Sequence, residues 1–523
     1  MITSSEAAVL AGITLTILTL LGASEAARRG FGLSAEFSRK SVHIATGIVI
    51  FLAPFFITRA APVVLIAAVF TLANLAAYVR GWLPAVHHTP RRSYGTVYYP
   101  LALLILALLL WDEAADIVAA SMLVLALGDG AAGITGELVR APRSYTLSGD
   151  TKSVQGSMAM FLTTLAALHV ALVVQQPQSI QTMDLLRTQP MLLFRTLVVI
   201  SVAATAAEAL TPRGLDNLSI PLLTAFLLYV SFGSDSPHIN TRVAEAGVLG
   251  ALVAGVSYRQ HLLSLSGAVA TFLLAIIVYG TGGLMYTLPI VAFFLLSSAL
   301  SRLGRHRKRA FDGVFEKSST RDAMQVIANG GIAGLIVVLA YIVPWDGWYP
   351  LYLASLAAAT ADTWSTELGV LARGRPRSIL TLRPVPPGTS GGVSLAGTVG
   401  GALGAAVVSA IGLASARIGD VSNFMADVSN FMADASGITP HAMQALLLLT
   451  ACGLVGSLVD SILGATVQAQ YSCGFCGAQT EQRTHCHLPT TLQRGHRAMT
   501  NDIVNIACTL AGALTALALL LLD

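Results

Sequence analysis

Long apolar blocks separated by short polar segments dominate this chain. Runs of about 17 to 25 apolar residues are long enough to cross a bilayer as a helix. They recur from one end of the chain to the other, so the pattern predicts about 14 to 16 transmembrane helices. The predicted segments lie near residues 7–23, 41–57, 60–79, 97–111, 116–138, 153–174, 190–208, 218–234, 243–257, 261–280, 283–301, 325–343, 349–372, 391–415, 441–468 and 502–522.

Composition supports the same fold class. Of the 523 residues, 54% are hydrophobic and only 11% are charged, whereas soluble domains carry about 25% charged residues. We therefore expect an all-α, multi-pass integral membrane protein that contacts membrane lipids and no nucleic acid. The polar motifs fall into two sets with no long linker between them, which predicts two helical bundles, residues 1–258 and 259–523.

Lysine and arginine predict the orientation. If the segments alternate across the bilayer, loops on one side hold all but five of the 31 lysine and arginine residues. Loops with such an excess face the cytoplasm. The polar motifs lie on the same side, so we expect active sites at the cytoplasmic face. The five exceptions are Arg59, Arg187, Arg195, Arg242 and Arg417.

The first set of polar residues is organised around Asp129, which lies within an apolar segment. A carboxylate at that depth is costly unless it faces protein or water, so Asp129 is a functional candidate. Lys152 and the small residues after it begin the next helix, where free backbone N–H groups favour a phosphate. The other candidates on this side are Arg39, Lys40, His43, Arg143, Ser153, Gly156, Glu208, Asp216 and Asn217.

Simpler structural roles compete with these assignments. The small residues after Asp129 are typical of tight helix packing, and a pair of basic residues anchors a helix by the positive-inside rule. Glu208, Asp216 and Asn217 suit Mg²⁺, which takes a few carboxylates together with phosphate oxygens and water. Asp and Asn beside a proline also form ordinary turns.

A second set repeats the plan around Asp362. A Pro-Arg-Ser triplet that holds Arg377 follows it, just as a triplet that holds Arg143 follows Asp129. Glu367 lies in the same apolar segment, and two acids in one span favour function over packing. Further candidates are Arg309 and Arg321 in a basic loop, Asn329, the glycine-rich Ser390 and Gly391, and the carboxylates of Asp460 and Asp502.

Cysteine and histidine form a third group near the end of the chain. Cys473 and Cys476 have the CxxC spacing and precede His485 and Cys486, a pattern typical of a small zinc site. Two surface thiols beside a turn are the alternative. A tandem DVSNFMA heptad at residues 420–433 lies away from every motif, and we interpret it as a tolerated insertion.

The first half resembles the CTP-dependent polyprenol kinases, the group that includes phytol kinase and dolichol kinase. The resemblance implies that the terminal phosphate of CTP is transferred to a long isoprenoid alcohol. Asp129, Glu208 and Asp216 would hold Mg²⁺, and either Asp129 or His43 would take the alcohol proton. The matching motifs are Arg39-Lys40-x-x-His43, Gly128-Asp129, Lys152-Ser153-x-x-Gly156-Ser157, Glu208 and Asp216-Asn217-x-x-x-Pro221.

The second half resembles the membrane family that contains phytyl-phosphate kinase. This implies phosphorylation of an isoprenyl monophosphate to the diphosphate, so the chain would be a bifunctional fusion that uses CTP and Mg²⁺. Asp362, Asp460 and Asp502 would hold the metal. The matching motifs are Gln325-x-x-Ala328-Asn329-Gly330, Ala361-Asp362-Thr363-Trp364-x-x-Glu367, Gly388 to Ser394, Asp460-Ser461-x-x-Gly464-Ala465-Thr466-x-Gln468 and Asn501-Asp502-x-x-Asn505.

Two other classes of protein share these features. A secondary transporter also uses internal repeats and buried acids, but its sites lie near the bilayer midplane. An enzyme that forms a CDP-lipid would share both CTP and the acidic motifs. These remain the alternatives to the kinase.

Overall fold

The computed structural model describes residues 4–32, 34–80, 94–175, 187–233, 238–303, 320–371, 374–386, 388–417 and 440–522. Within these ranges the chain is mostly helical, and nine helices are long and apolar enough to cross a membrane. Large apolar side chains such as Leu72, Leu108 and Leu514 are exposed on helix surfaces, which suits contact with lipid rather than water. The predicted all-α, multi-pass membrane fold is confirmed.

The chain forms two compact units, Met1–Gly247 and Val248–Asp523. The border lies within a helix, a little before the boundary expected at residue 258. We describe each unit by itself.

The first unit contains long helices that coincide with the predicted apolar segments. Their centre is the second half of α4, where the residues from Ile117 to Leu125 are buried. The helices are α1 (Ser4–Phe31), α2 (Ala35–Leu52), α3 (Ala60–Arg80), α4 (Gly95–Val124), α5 (Gly130–Leu138), α6 (Val154–Gln175), α7 (Pro190–Leu210), α8 (Asp216–Phe232) and α9 (His238–Arg259), which ends in the second unit.

Helix α4 departs from regular geometry at two places. Ala114 has non-helical dihedral angles (φ −149°, ψ 54°), so the break predicted between 111 and 116 is a kink inside one helix. A π-helical turn, Leu125–Asp129, then joins α4 to α5. Such turns are rare and often occur at functional sites, and this one ends at Asp129.

The second unit is built around α12. Its residues from Leu351 to Ala361 are buried without interruption, because α10, α11, α13, α14 and α15 all pack against it. Gly283, at φ 60°, marks a kink in α10, where two segments were predicted. The helices are α10 (Leu265–Arg302), α11 (Ala323–Ile342), α12 (Trp348–Leu371), α13 (Leu395–Ser415), α14 (Pro440–Thr466) and α15 (Asn501–Leu522).

Short antiparallel strands lie in the polar segments, which the apolar pattern did not predict. Tight connections outside the helices must still pair their backbone N–H and C=O groups, and strand pairing does this here. The pairs are β1 (Ser144–Thr146) with β2 (Thr151–Ser153), β3 (Arg377–Ser378) with β4 (Gly392–Val393), and β7 (Thr484–His485) with β8 (Leu488–Pro489). A three-stranded sheet consists of β6 (Gln479–Thr480), β5 (Gln470–Ser472) and β9 (Thr491–Arg494), in that order.

Candidate functional sites

Lys40, His43 and Asp129 meet in the first unit. The Lys40 Nζ atom donates to Asp129 Oδ2 at 2.5 Å and to the Asp129 carbonyl at 3.2 Å. His43 Nε2 lies 3.6 Å from the same carboxylate oxygen. Lys40 and Asp129 are both buried. Gly133 makes room for this contact, because a Cβ atom there would lie 2.7 Å from Lys40 Cε.

Lys152 lies between two other carboxylates. Its Nζ atom is 2.6 Å from Glu208 Oε1 and 3.2 Å from Asp216 Oδ2. Burial lowers the pKa of the Lys152 ammonium, but the charges of Asp216, Glu208 and Asp129 outweigh burial and raise that pKa above its ordinary value. Lys152 is therefore charged at neutral pH.

Negative charges outnumber positive ones in the ion pairs of this cluster. Three carboxylates pair with the two ammonium groups of Lys40 and Lys152, and Arg39 adds a positive charge at longer range. The Glu208 Oε2 atom is buried and has no hydrogen-bond partner among the described residues, a costly arrangement without a cation. The donor set therefore fits the predicted Mg²⁺. Lys152 lies between Glu208 and Asp216, and Lys40 pairs with Asp129, so the carboxylates would exchange these ammonium groups for the ion.

A hairpin and a loop hold Lys152 in place. Asp150, at the tip of the β1–β2 hairpin, accepts from the Arg213 backbone N–H at 2.7 Å, which ties the hairpin to the loop between α7 and α8. Ser153 Oγ accepts from the Gly156 N–H at 3.1 Å and so caps the start of α6. A Cβ atom on Gly156 would lie 2.9 Å from a backbone carbonyl of α5. The glycine therefore permits α5 and α6 to approach.

The other predicted residues of this unit contribute unequally. Asn217 donates to Asp216 Oδ1 at 3.1 Å, whereas the Arg143 side chain is exposed. Arg39 is close enough to His43 for its charge to act on the ring. Sequence reasoning missed Tyr99, whose ring packs edge-on against His43 at 4.6 Å between centroids. An aromatic residue in an apolar segment carries no signal of its own.

A cavity of about 850 Å³ lies in the second unit. The starts of α11, α13 and α15 and the ends of α12 and α14 meet around it, because successive helices run in alternating directions. Most of the second motif set therefore lines one space although its members are far apart in sequence. These residues are Arg321, Gln325, Asn329, Asp362, Glu367, Ser390, Gly391, Asp460, Gln468, Asn501 and Asn505.

Acids and one arginine define the chemistry of the cavity. The Asp362 and Asp460 carboxyl groups are within hydrogen-bonding distance of each other. Asp460 Oδ1 is buried without a hydrogen-bond partner among the described residues, so the pair also fits a cation. Burial lowers the pKa of Arg321 to about 10, against the charge of Glu367, and the guanidinium remains charged at neutral pH. Ser301 donates to Glu367.

Glu481 is a charged residue of this cavity that the sequence pattern did not indicate. It accepts from Ser390 Oγ at 2.6 Å and from Gln468 Nε2 at 2.9 Å. It follows strand β6, in a polar segment, where a charged residue is not conspicuous.

Three predicted residues of the second unit have other surroundings. Asp502 is buried but is not among the residues that line the cavity. Arg377 is exposed in β3, where its Nη1 donates to the Leu382 carbonyl at 3.2 Å. It also does not line the cavity, because the β3–β4 pairing turns its side chain to the surface. Arg309 and the heptad repeat at 420–433 lie outside the described residues.

The Cys473, Cys476, His485 and Cys486 side chains come together. Their ligand atoms all lie within 4.8 Å of one another. Hydrogen bonds from the Cys476 backbone and with the His485 side chain lower the pKa of the Cys473 thiol to about 6. The hydrogen bond with Cys476 raises the pKa of the Cys486 thiol to about 11. One thiol of the cluster is therefore readily ionised at neutral pH.

Several proteins are similar in amino-acid sequence to this chain. A protein of Arabidopsis thaliana named PGR is 36% identical over 256 residues, which cover 46% of this chain and 83% of the relative. The phytol kinase of Synechocystis sp. is 30% identical over 198 residues, covering 37% of this chain and 79% of the relative. The chloroplastic protein VTE6 of Arabidopsis thaliana is 28% identical over 156 residues, which cover 29% of this chain and 46% of the relative.

No solved structure matches the chain. Residues 248–513, just over half of the chain and nearly the whole second unit, match a family described as an integral membrane protein, DUF92. The helical architecture and the extent of this match agree: the chain belongs to the integral membrane protein DUF92 family.

Proposed function

We propose that this protein is a membrane kinase of isoprenoid alcohols with CTP as the phosphate donor. The buried cluster of three carboxylates and two lysines in the first unit carries the proposal. Phosphoryl transfer needs positioning and charge neutralisation more than covalent chemistry, and these groups supply both. The relative named phytol kinase supports the substrate class.

In the first unit, Lys40 and Lys152 would exchange their carboxylate partners for phosphate oxygens of the donor. Glu208, through its unpartnered oxygen, and Asp216 would hold Mg²⁺, which neutralises triphosphate charge when bound. Either Asp129 or His43 would accept the proton of the alcohol. Their reactive atoms are 3.6 Å apart, so both can reach one hydroxyl group.

The second unit would phosphorylate the monophosphate to the diphosphate. Its cavity of about 850 Å³ is within the usual size of ligand sites, about 300 to 1,000 Å³. Asp362 and Asp460 would hold the metal. Arg321, which lies within electrostatic range of Glu367, would bind phosphate together with the glycine-rich segment around Gly391. An acceptor that is already a phosphate needs no base. Both sites would face the cytoplasm, where CTP is found.

The two activities can be separated by variants and by the substrate supplied. Purified protein would receive Mg²⁺, CTP and either a prenyl alcohol or its monophosphate. We expect Asp129→Asn to lower the rate of alcohol phosphorylation about 100-fold or more. The same variant should still convert supplied monophosphate to diphosphate. Asp362→Asn should accumulate monophosphate. The matched controls are the exposed acids Glu113 and Asp346, as Glu113→Gln and Asp346→Asn, and both should keep full yield.

Labelled CTP distinguishes the proposal from its rivals. Label on the γ-phosphate reaches the lipid in a kinase, whereas label on the α-phosphate does so in an enzyme that forms a CDP-lipid. No label in the lipid from either position, together with transport of a solute, would favour a transporter. Normal diphosphate yield in Asp362→Asn would refute the role of the second unit.

A further inference from the structure

Three of the four ligand atoms of the Cys/His cluster, those of Cys476, His485 and Cys486, have the spacing of a tetrahedral zinc site, and the Cys473 sulfur lies within 4.8 Å of each of them. With Zn–S bonds of about 2.3 Å and Zn–N bonds of about 2.0 Å, the S–S edges are about 3.8 Å and the S–N edges about 3.5 Å. The Cys476 and Cys486 sulfur atoms are 3.8 Å apart. His485 Nδ1 lies 3.4 Å from Cys476 Sγ and 3.3 Å from Cys486 Sγ. Three of the edges therefore match without any rearrangement.

The first pair of ligands lies in a tight turn. The Cys473 N–H donates to the Ala478 carbonyl at 3.0 Å, and the Gly477 N–H donates to the Cys473 carbonyl at 2.9 Å. The backbones of Phe475 and Cys476 hydrogen-bond to the Cys473 sulfur. Such bonds from outside the ligand shell orient and stabilise a metal-bound thiolate.

The second pair lies at a strained hairpin. Strands β7 and β8 pair His485 with Leu488, so Cys486 and His487 alone form the turn. Both have positive φ, 51° and 60°, a conformation in which glycine and asparagine are favoured. Left-handed conformations at non-glycine residues persist only when their surroundings impose them. A metal bound by His485 and Cys486 would provide such a constraint.

We propose that Cys473, Cys476, His485 and Cys486 bind one zinc ion, which fixes Glu481 at the cavity of the second unit. The ion would have four protein ligands and no open position, as in structural zinc sites. It would cross-link Cys476 to His485 and close a loop that contains Glu481. Zinc binding in this proposal is independent of the kinase reaction.

Glu481 shows how the loop bears on the cavity. It follows β6, whose register is set by the pairing of Tyr471 with Thr480, and it accepts from Ser390 and Gln468 at the cavity wall. The sheet that carries it has strands of only two to four residues. Small structures with little hydrophobic core are commonly stabilised by a bound metal, and zinc would provide such a cross-link here.

The test measures metal content and local order in the full chain, purified in detergent without chelators. We expect about one zinc ion per chain. Cys476→Ser and His485→Asn each remove a direct ligand and should lower zinc affinity by more than the roughly 10-fold to 100-fold that loss of an outer-shell partner costs. The matched control is His487→Asn, next to the site but outside the cluster, which should retain the metal. Cobalt substitution should give thiolate-to-metal absorption in the wild type and the control.

Hydrogen exchange separates the metal site from its effect on the cavity. Removal of zinc from the wild type by a chelator should accelerate exchange in residues 470–494 and at Ser390, while α10 stays protected. A wild type that takes up no zinc when it is supplied, or a Cys476–Cys486 disulfide in its place, would overturn the site. Zinc bound without any change in exchange at residues 479–482 on removal would overturn its role in placing Glu481.

Discussion

The buried pair of Lys40 and Asp129 permits a quantitative test of the cluster. Two unit charges 2.5 Å apart attract by about 7 kcal/mol at an effective dielectric constant of about 20. Desolvation opposes this attraction by several kcal/mol for each ion. The intact pair therefore adds little net stability, whereas loss of one partner leaves the other buried and uncompensated.

The expected result is strong coupling between the two substitutions. Lys40→Met and Asp129→Asn should each lower the free energy of unfolding by about 3 to 5 kcal/mol. The double variant removes one positive and one negative charge, so the net charge of the cluster does not change. Its loss should be about 2 kcal/mol or less, which corresponds to a coupling energy of about 4 kcal/mol or more.

Unfolding of the first unit can be followed with one fluorophore. Trp111 is buried in this unit, and the other four of the five tryptophans can be replaced by phenylalanine. Titration with SDS in mixed micelles then yields the unfolding free energy of each variant. Arg29→Met, in an exposed ion pair with Glu25, serves as the control and should change stability little. If the two single effects add within about 0.5 kcal/mol, the pair is not coupled and the reasoning fails.

The other predictions concern the walls of the two sites. Gly391→Ala should destabilise the second unit by several kcal/mol, because Gly391 has φ 78° and a Cβ atom there would lie 2.4 Å from the Ala465 Cβ. Gly374→Ala, with open space around it, should leave thermal melting unchanged, and equal melting of both variants would contradict the packing argument. Lys152→Met should abolish CTP-dependent phosphorylation and lower stability by about 3 kcal/mol or more. Arg143→Met, which removes an exposed cation just before β1 of the same hairpin, should keep stability, and an equal loss in both would show that burial does not matter.

The sequence by itself determined the helices and their breaks. Apolar runs of membrane length leave the backbone no alternative to helical hydrogen bonding in lipid, so each predicted segment coincides with helical structure. The break before residue 116 lies at Ala114, and the one before 283 lies at Gly283. Buried charges were also visible, since an acid such as Asp362 within an apolar run is conspicuous.

Only the tertiary structure decided which charges meet. Nothing in the spacing of Asp129 indicated that Lys40, 89 residues away, would pair with it, or that Lys152 would join Glu208 to Asp216. The position of Glu481 could not be predicted for the same reason. It follows a short strand, and its carboxylate comes to the cavity wall by accepting hydrogen bonds from Ser390 and Gln468. Side-chain periodicity describes one element at a time, whereas ion pairs and cavities arise where elements distant in sequence pack together.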